Sequence, residues 1–290
     1  MSCDSPGKLF LCATPIGNLK DISERVLEVL RSADLIAAED TRNSLKLLNH
    51  FEIKAPLTSY HEYIKYDKAA ELIEKMQNGQ NVALITDAGT PAISDPGEVL
   101  VDMCHKAGII VTSLPGPCAL ITALTLSGLC ARRFIFEGFL PPDKSERKEV
   151  LESIRNETRT VIFYEAPHHL MGTLKEIYEA AGNRRIALCR ELTKKFEEVK
   201  RMPLPEAIDF YERHEPKGEY VLILEGKSKE SLIKEAQEDF LSMNLLDHMA
   251  VYENQGYDKK DAMKLVAKDR GISKRDVYAQ LLEMDEKEGK

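Results

Sequence analysis

The stretch that most constrains the fold is Thr86-Asp87-Ala88-Gly89-Thr90-Pro91-Ala92-Ile93-Ser94-Asp95-Pro96-Gly97. It follows Val82-Ala83-Leu84-Ile85, an unbroken apolar run of the kind that forms a buried parallel strand. It precedes residues 98–106, where Val99, Leu100 and Met103 recur at helical spacing. The stretch is therefore a strand-to-helix loop, longer than the ~2–6 residues such a connection needs. Gly89 and Gly97 allow backbone geometry that side chains resist, while Pro91 and Pro96 fix φ and remove amide donors. Ligands of open α/β sheets bind beyond the carboxyl ends of strands, which makes this loop a binding-site candidate. An ordinary turn with Asp95 capping the next helix is the plainer alternative, and both can hold together.

The chain around it alternates apolar runs with helical patterns. A strand over 8–13 enters Thr14-Pro15-Ile16-Gly17-Asn18-Leu19, and a helix follows over 23–32. Gly17 stands alone, so neither the dinucleotide fingerprint nor a Walker A loop is present. A strand over 34–38 runs into Glu39-Asp40-Thr41-Arg42, which is either a strand-end site or the cap of a helix over 43–50. Tyr60-His61-Glu62 lacks the second His of a zinc-protease motif and is expected on the surface or a substrate rim. A helix over 66–78 leads to the strand at 82. The strand over 109–113 enters Leu114-Pro115-Gly116-Pro117-Cys118-Ala119, a second binding loop. The helix after it is so apolar that burial is expected, and its amino end offers free N–H groups and a positive dipole.

The composition shifts near Arg132-Arg133-Phe134, which puts a domain boundary in the 115–140 region. We expect α/β segments over 1–118 and 119–228 and a helical segment over 229–290. The second segment alternates again, with polar clusters at Glu165-Ala166-Pro167-His168-His169 and Arg190-Glu191-Leu192-Thr193-Lys194-Lys195. For the paired histidines, one capping a helix and one solvated is favoured over a general base. In the tail, Ser273 and Asp276 form a capping box, and two helices joined at Arg270-Gly271-Ile272 read as a helix-turn-helix unit. Lys264, Lys268, Arg270, Lys274 and Arg275 cluster at that turn, while Asp269, Asp276 and Glu283 dilute the charge.

A net charge of −8 argues against indiscriminate nucleic-acid binding, yet leaves room for a local basic groove. The six cysteines include no Cys-x-x-Cys pair, so neither a zinc site nor a disulfide framework is expected. No apolar run reaches the ~18 residues of a membrane span, and the start, from Met1 to Lys8, has no signal-peptide pattern. A soluble, cytoplasmic protein is expected.

These segments, with Phe136-Glu137-Gly138-Phe139-Leu140-Pro141 and Phe163-Tyr164-Glu165, occur in one order over residues 8–226. The set resembles the 16S rRNA (cytidine-2′-O)-methyltransferases of the small ribosomal subunit, within the tetrapyrrole-methylase-like S-adenosylmethionine enzymes. It departs at His168-His169, where many members end the motif in Arg. The resemblance implies a homodimer of two α/β domains, S-adenosylmethionine in the cleft between them, and a small helical C-terminal domain. Asp87, Gly89, Thr90, Pro91, Ile93, Pro115, Gly116, Cys118, Ala119, Tyr164 and Glu165 would hold the cofactor. RNA within the small subunit would meet Thr14, Pro15, Gly17, Asn18, Arg42, Lys144, Arg147, Lys148 and Arg190, with the tail docking on the particle. Glu39, Asp40, Glu191 and Lys194 are the candidates to assist a ribose hydroxyl, and no metal is required. Methylation of a tetrapyrrole or a protein side chain by a sister family is the alternative.

Overall fold

The structure is a computed structural model and describes residues 5–288. The chain start, with Cys3, lies outside the described residues. One compact unit runs to Arg155 and resumes over Arg159–Glu225; the other comprises Asn156–Thr158 and the segment from Gly226 onward.

The first unit holds two five-stranded sheets. The first is built from β1 (Lys8–Cys12), β2 (Leu35–Ala38), β3 (Leu57–Ser59), β4 (Val82–Ile85) and β5 (Ile110–Leu114). All its pairings are parallel, in the order β3-β2-β4-β1-β5. Helices α1 (Glu24–Ser32), α2 (Thr41–His50), α3 (Lys65–Gln77) and α4 (Gly97–Lys106) make the crossovers. Parallel strands covered on both faces should be continuously apolar, and Val82 to Ile85 are all buried. Strand alternation divides the core. Leu9 and Leu11 pack with Leu72, Met76 and Leu100, whereas Cys12 packs with Val26, Leu30 and Leu48 on the other face. Burial pushes the Cys12 thiol up to about 12, so it acts as a small core hydrophobe.

Helix α5 (Ala119–Ser127) lies between the sheets in sequence and packs on the second. That sheet contains β6 (Phe134–Gly138), β7 (Thr160–Glu165), β8 (Arg185–Arg190), β9 (Glu198–Pro203) and β10 (Tyr220–Leu224). Its order is β6-β7-β10-β8-β9, and only β6 and β7 run parallel. Helices α6 (Lys144–Ser153), α7 (Leu170–Ala181) and α8 (Leu204–Arg213) belong to this half. The tail contributes α9 (Lys229–Ser242), α10 (Leu245–Glu253), α11 (Lys259–Asp269) and α12 (Lys274–Glu288), with a core of Leu245, Met249, Val266, Val277 and Leu281. Two α/β sheets and a helical C-terminal segment are thus as expected.

Three expectations change. Helix α5 is not buried all round: Leu120, Ala123 and Leu124 face the second sheet, but Ile121 is 45% and Leu126 43% exposed. Tyr60 is not on the surface; it is 1% exposed and its hydroxyl donates to the Pro96 carbonyl at 3.0 Å. Arg270 is not part of an open cationic cluster. Its guanidinium donates to His248 Nδ1 and to the Met243 carbonyl, tying residues before and in α10 to the end of α11. Among the described residues, no helix is long and apolar enough to cross a membrane.

Candidate active site

The loops that leave β1 and β4 are stapled together. Thr14 N–H donates to the Gly89 carbonyl at 2.9 Å, and Gly89 N–H returns a bond to the Thr14 carbonyl at 3.1 Å. The Thr14 hydroxyl, fully buried, donates to the Thr86 carbonyl at 3.2 Å. Asp95 closes the long loop from within. Its Oδ1 accepts from Ala92 N–H at 2.9 Å and Gly97 N–H at 2.8 Å. Ala92 and Ser94 are thereby held at φ of 67° and 62°, a left-handed conformation that side chains resist. The Pro-Gly-Pro loop needs its glycine for close approach: a Cβ on Gly116 would stand 2.7 Å from the Ala13 Cβ.

These loops, with the ends of β7, β8 and β10, enclose a cavity of about 510 Å³. That lies within the ~300–1,000 Å³ of small-molecule sites. Of the sequence-derived cofactor candidates, Asp87, Gly89, Thr90, Ile93, Cys118, Ala119, Tyr164 and Glu165 line it, while Pro91, Pro115 and Gly116 do not. Glu39 and Lys194 also line it; Asp40 and Glu191 do not. Sequence reasoning passed over Ile16, Phe139, Leu192, Glu219 and Val221 as lining residues. Phe139 was legible as a large apolar side chain in a Gly-Phe-Leu-Pro turn, and it meets the Tyr164 ring edge-on at 5.7 Å. Ile16, Leu192 and Val221 are apolar residues indistinguishable from core in the sequence, and Glu219 reads as an ordinary exposed carboxylate.

The polar groups of the wall are differently engaged. Glu39 Oε2 accepts from the Thr86 hydroxyl at 2.7 Å. Asp40 is the N-cap of α2 and takes the Arg42 guanidinium through two bonds, which brings its carboxyl down to about 2. Burial works against the charged form of Lys194, but the carboxylates of Glu219 and Glu191 outweigh it and raise its pKa. Burial likewise opposes ionisation of Glu191, and the Glu219 N–H with Lys194 overcomes it, so its pKa is lowered. Glu165 is buried at 6% exposure and accepts from its own neighbour Ala166 N–H and from the Thr173 hydroxyl. Burial raises the Tyr164 hydroxyl to about 12, so it remains a hydrogen-bond donor.

A second cavity, of about 400 Å³, shares Thr86 and Asp87 with the first. Thr14, Pro15 and Gly17 line it, and Asn18 caps the short turn beside it through Lys20 N–H. The remaining RNA-facing candidates lie elsewhere. Arg42 is held by Asp40, and Arg190 donates to the Lys217 carbonyl at 2.6 Å. Lys144 is exposed at the start of α6, Lys148 is near Glu152 at 3.5 Å, and Arg147 is turned to Glu176 and Thr173. Arg147 thus supports Glu165 through Thr173. His168 and His169 are exposed with rings 4.1 Å apart, and neither side chain caps α7.

The model of the tetrapyrrole (corrin/porphyrin) methylases matches residues 8–208. A protein of Halalkalibacterium halodurans named ribosomal RNA small subunit methyltransferase I is 45% identical over 275 residues, covering 95% of this chain and 94% of its own. The chain belongs to the ribosomal RNA small subunit methyltransferase I family. The protein of that name from Synechocystis is 43% identical over 280 residues, covering 96% of this chain and 99% of its own. The same methylase fold is found in a diphthine synthase structure at TM-score 0.62 and 15% identity, over 77% of this chain and 91% of that one. As a ribosomal RNA small subunit methyltransferase I family member, the chain is a methyltransferase, and the two adjoining cavities that share Thr86 and Asp87 have to be read as such.

Proposed function

We propose that this protein transfers a methyl group from S-adenosylmethionine to the 2′-oxygen of a cytidine ribose in 16S rRNA of the small ribosomal subunit. The observation that carries this reading is 45% identity across 95% of the chain to a protein bearing the small-subunit rRNA methyltransferase name. The larger cavity supports it. It combines apolar walls (Ile16, Ile93, Leu192, Val221) with the start of α5, whose first-turn N–H groups have no side-chain cap. The free N–H groups suit the carboxylate of S-adenosylmethionine, and the apolar walls suit the rest of the molecule. Gly89, Thr90, Cys118, Ala119, Tyr164 and Glu165 would hold it.

When bound, the cofactor supplies a methyl carbon on a positively charged sulfur, which keeps the bonding electron pair as the methyl passes to oxygen. The protein's part is to hold the ribose hydroxyl in line, keep water out and receive its proton. Among the four acid–base candidates, Glu39 fits that last role. Asp40 is occupied by Arg42, Glu191 by Lys194 and Glu219 N–H, and Lys194 is kept protonated by its two carboxylates. Lys194 instead offers a fixed positive charge at the wall.

The segments 1–118 and 119–228 would carry the cofactor chemistry and 229–290 the docking on the particle. The uncovered Ile121 and Leu126 on α5 suit a homodimer. A ribosomal substrate implies the cytoplasm. The test is methyl transfer from labelled S-adenosylmethionine to unmodified small subunits, followed by nucleoside mass spectrometry. New 2′-O-methylcytidine is expected, lost in Glu39→Gln at unchanged cofactor affinity. Cofactor binding without RNA labelling would overturn the substrate and favour a sister-family acceptor.

A further inference from the structure

The second cavity contains an unsatisfied group. Ser44, at the end of the first turn of α2, is only 4% exposed, yet its hydroxyl has no hydrogen-bond partner. A buried hydroxyl left unpaired costs stability, and helical serines commonly bond back to the preceding turn. Ser44 lines the cavity instead. Around it the chemistry is graded. Lys46 and His50 put cationic or donor groups on the α2 side. Asp87 stands at the wall shared with the larger cavity, oriented by Asp40 N–H at 3.2 Å and the Asn43 amide at 3.4 Å. Glu39 reaches the same wall through the Thr86 hydroxyl.

Acceptors for hydroxyls at the Thr86–Asp87 wall, the Lys46 ammonium and the His50 imidazole on α2, and the spare Ser44 hydroxyl suit a ribonucleotide. We propose that this cavity seats the methyl-accepting nucleotide, taken out of its stack, with its ribose at the Thr86–Asp87 wall. Its phosphate meets Lys46 and His50, and Ser44 supplies the missing hydrogen bond. The inference rests on the RNA-methyltransferase reading and deepens it. It explains why the two cavities share a wall: a ribose there presents its 2′-hydroxyl to the chamber that Glu39 lines. RNA targets are commonly single-stranded loops and bulges whose nucleotides can be splayed out of the stack.

The experiment uses the full chain with Ser44→Ala, Ser44→Leu and Lys46→Glu. Calorimetric binding of S-adenosylmethionine serves as the check on folding and on the first cavity, and is expected to be unchanged. Ser44→Ala should raise KM for small subunits roughly tenfold, the effect of one lost hydrogen bond to a desolvated group. Ser44→Leu, which fills the cavity, should abolish transfer. Lys46→Glu should weaken subunit binding and flatten its dependence on log salt by about one unit. Wild-type KM in Ser44→Ala and Lys46→Glu would overturn the proposal. Anisotropy with a labelled single-stranded RNA heptamer centred on cytidine separates this inference from the functional reading. If wild-type protein methylates no RNA, that reading fails. Heptamer binding still decides the cavity: weakening in both variants supports it, and wild-type binding overturns it.

Discussion

Gly17, in the wall of the smaller cavity, and Lys194, in the wall of the larger, lie against each other: a Cβ on Gly17 would stand 2.4 Å from Lys194 Cγ. Gly17 also has φ +152°. Gly17→Ala must therefore displace the lysine that Glu191 and Glu219 hold in place. A shift of that size in a positioned charge is expected to lower kcat/KM for RNA about 10²-fold. Steady-state kinetics should register the loss while circular dichroism shows an intact fold.

Asp95 holds the long loop through two backbone N–H groups, and those donors lose their acceptor in Asp95→Ala. We expect a loss of about 1–3 kcal/mol in urea unfolding. Affinity for S-adenosylmethionine should fall with it, by at least tenfold in calorimetry. Asp95→Asn, which keeps one acceptor oxygen, should recover most of both.

Tyr60→Phe tests a different kind of bond. The hydroxyl is buried and serves the Pro96 carbonyl at the end of the same loop. Its removal leaves that carbonyl without this donor and should cost about 1–2 kcal/mol in chemical denaturation. Wild-type stability would mean that the carbonyl is satisfied in another way.

The tail should be sensitive to acid. Burial, and then the Arg270 guanidinium, hold His248 below its usual 6.5. The unfolded chain therefore takes up the proton first. The stabilisation from neutral His248 is complete above about pH 6.5 and is lost as pH falls through the lowered native value. The melting temperature of the tail in calorimetry is expected to drop progressively as pH falls below about 6.5. His248→Gln keeps an acceptor for Arg270 without titrating in that range and should flatten the drop.

Much of this was legible in the residues. Val82 to Ile85 announced a buried strand, and the two glycine- and proline-rich loops fell where β4 and β5 end. Ser273 with Asp276 announced its capping box, which is present in both directions. The failures share a cause, which is that partners distant in sequence decide burial. Tyr60 looked like loop surface because its partner, Pro96, is 36 residues away. Arg147 looked free because Glu176 lies 29 residues further on. The three residues of β3 are too few to show alternation, and Ser44 sits in a polar helix that reads as solvated until Thr14 and Asp87 are folded against it.

Four residues other than glycine around the larger cavity adopt the left-handed conformation: Ala92, Ser94, Glu191 and Thr193. Each costs about 1–2 kcal/mol relative to relaxed backbone. That cost is borne by every folded molecule, with or without a guest. Drift toward glycine at these four sites would therefore give a chain that folds more securely and fits less well. Selection for a sturdier protein and selection for a faithful mould pull these positions in opposite directions.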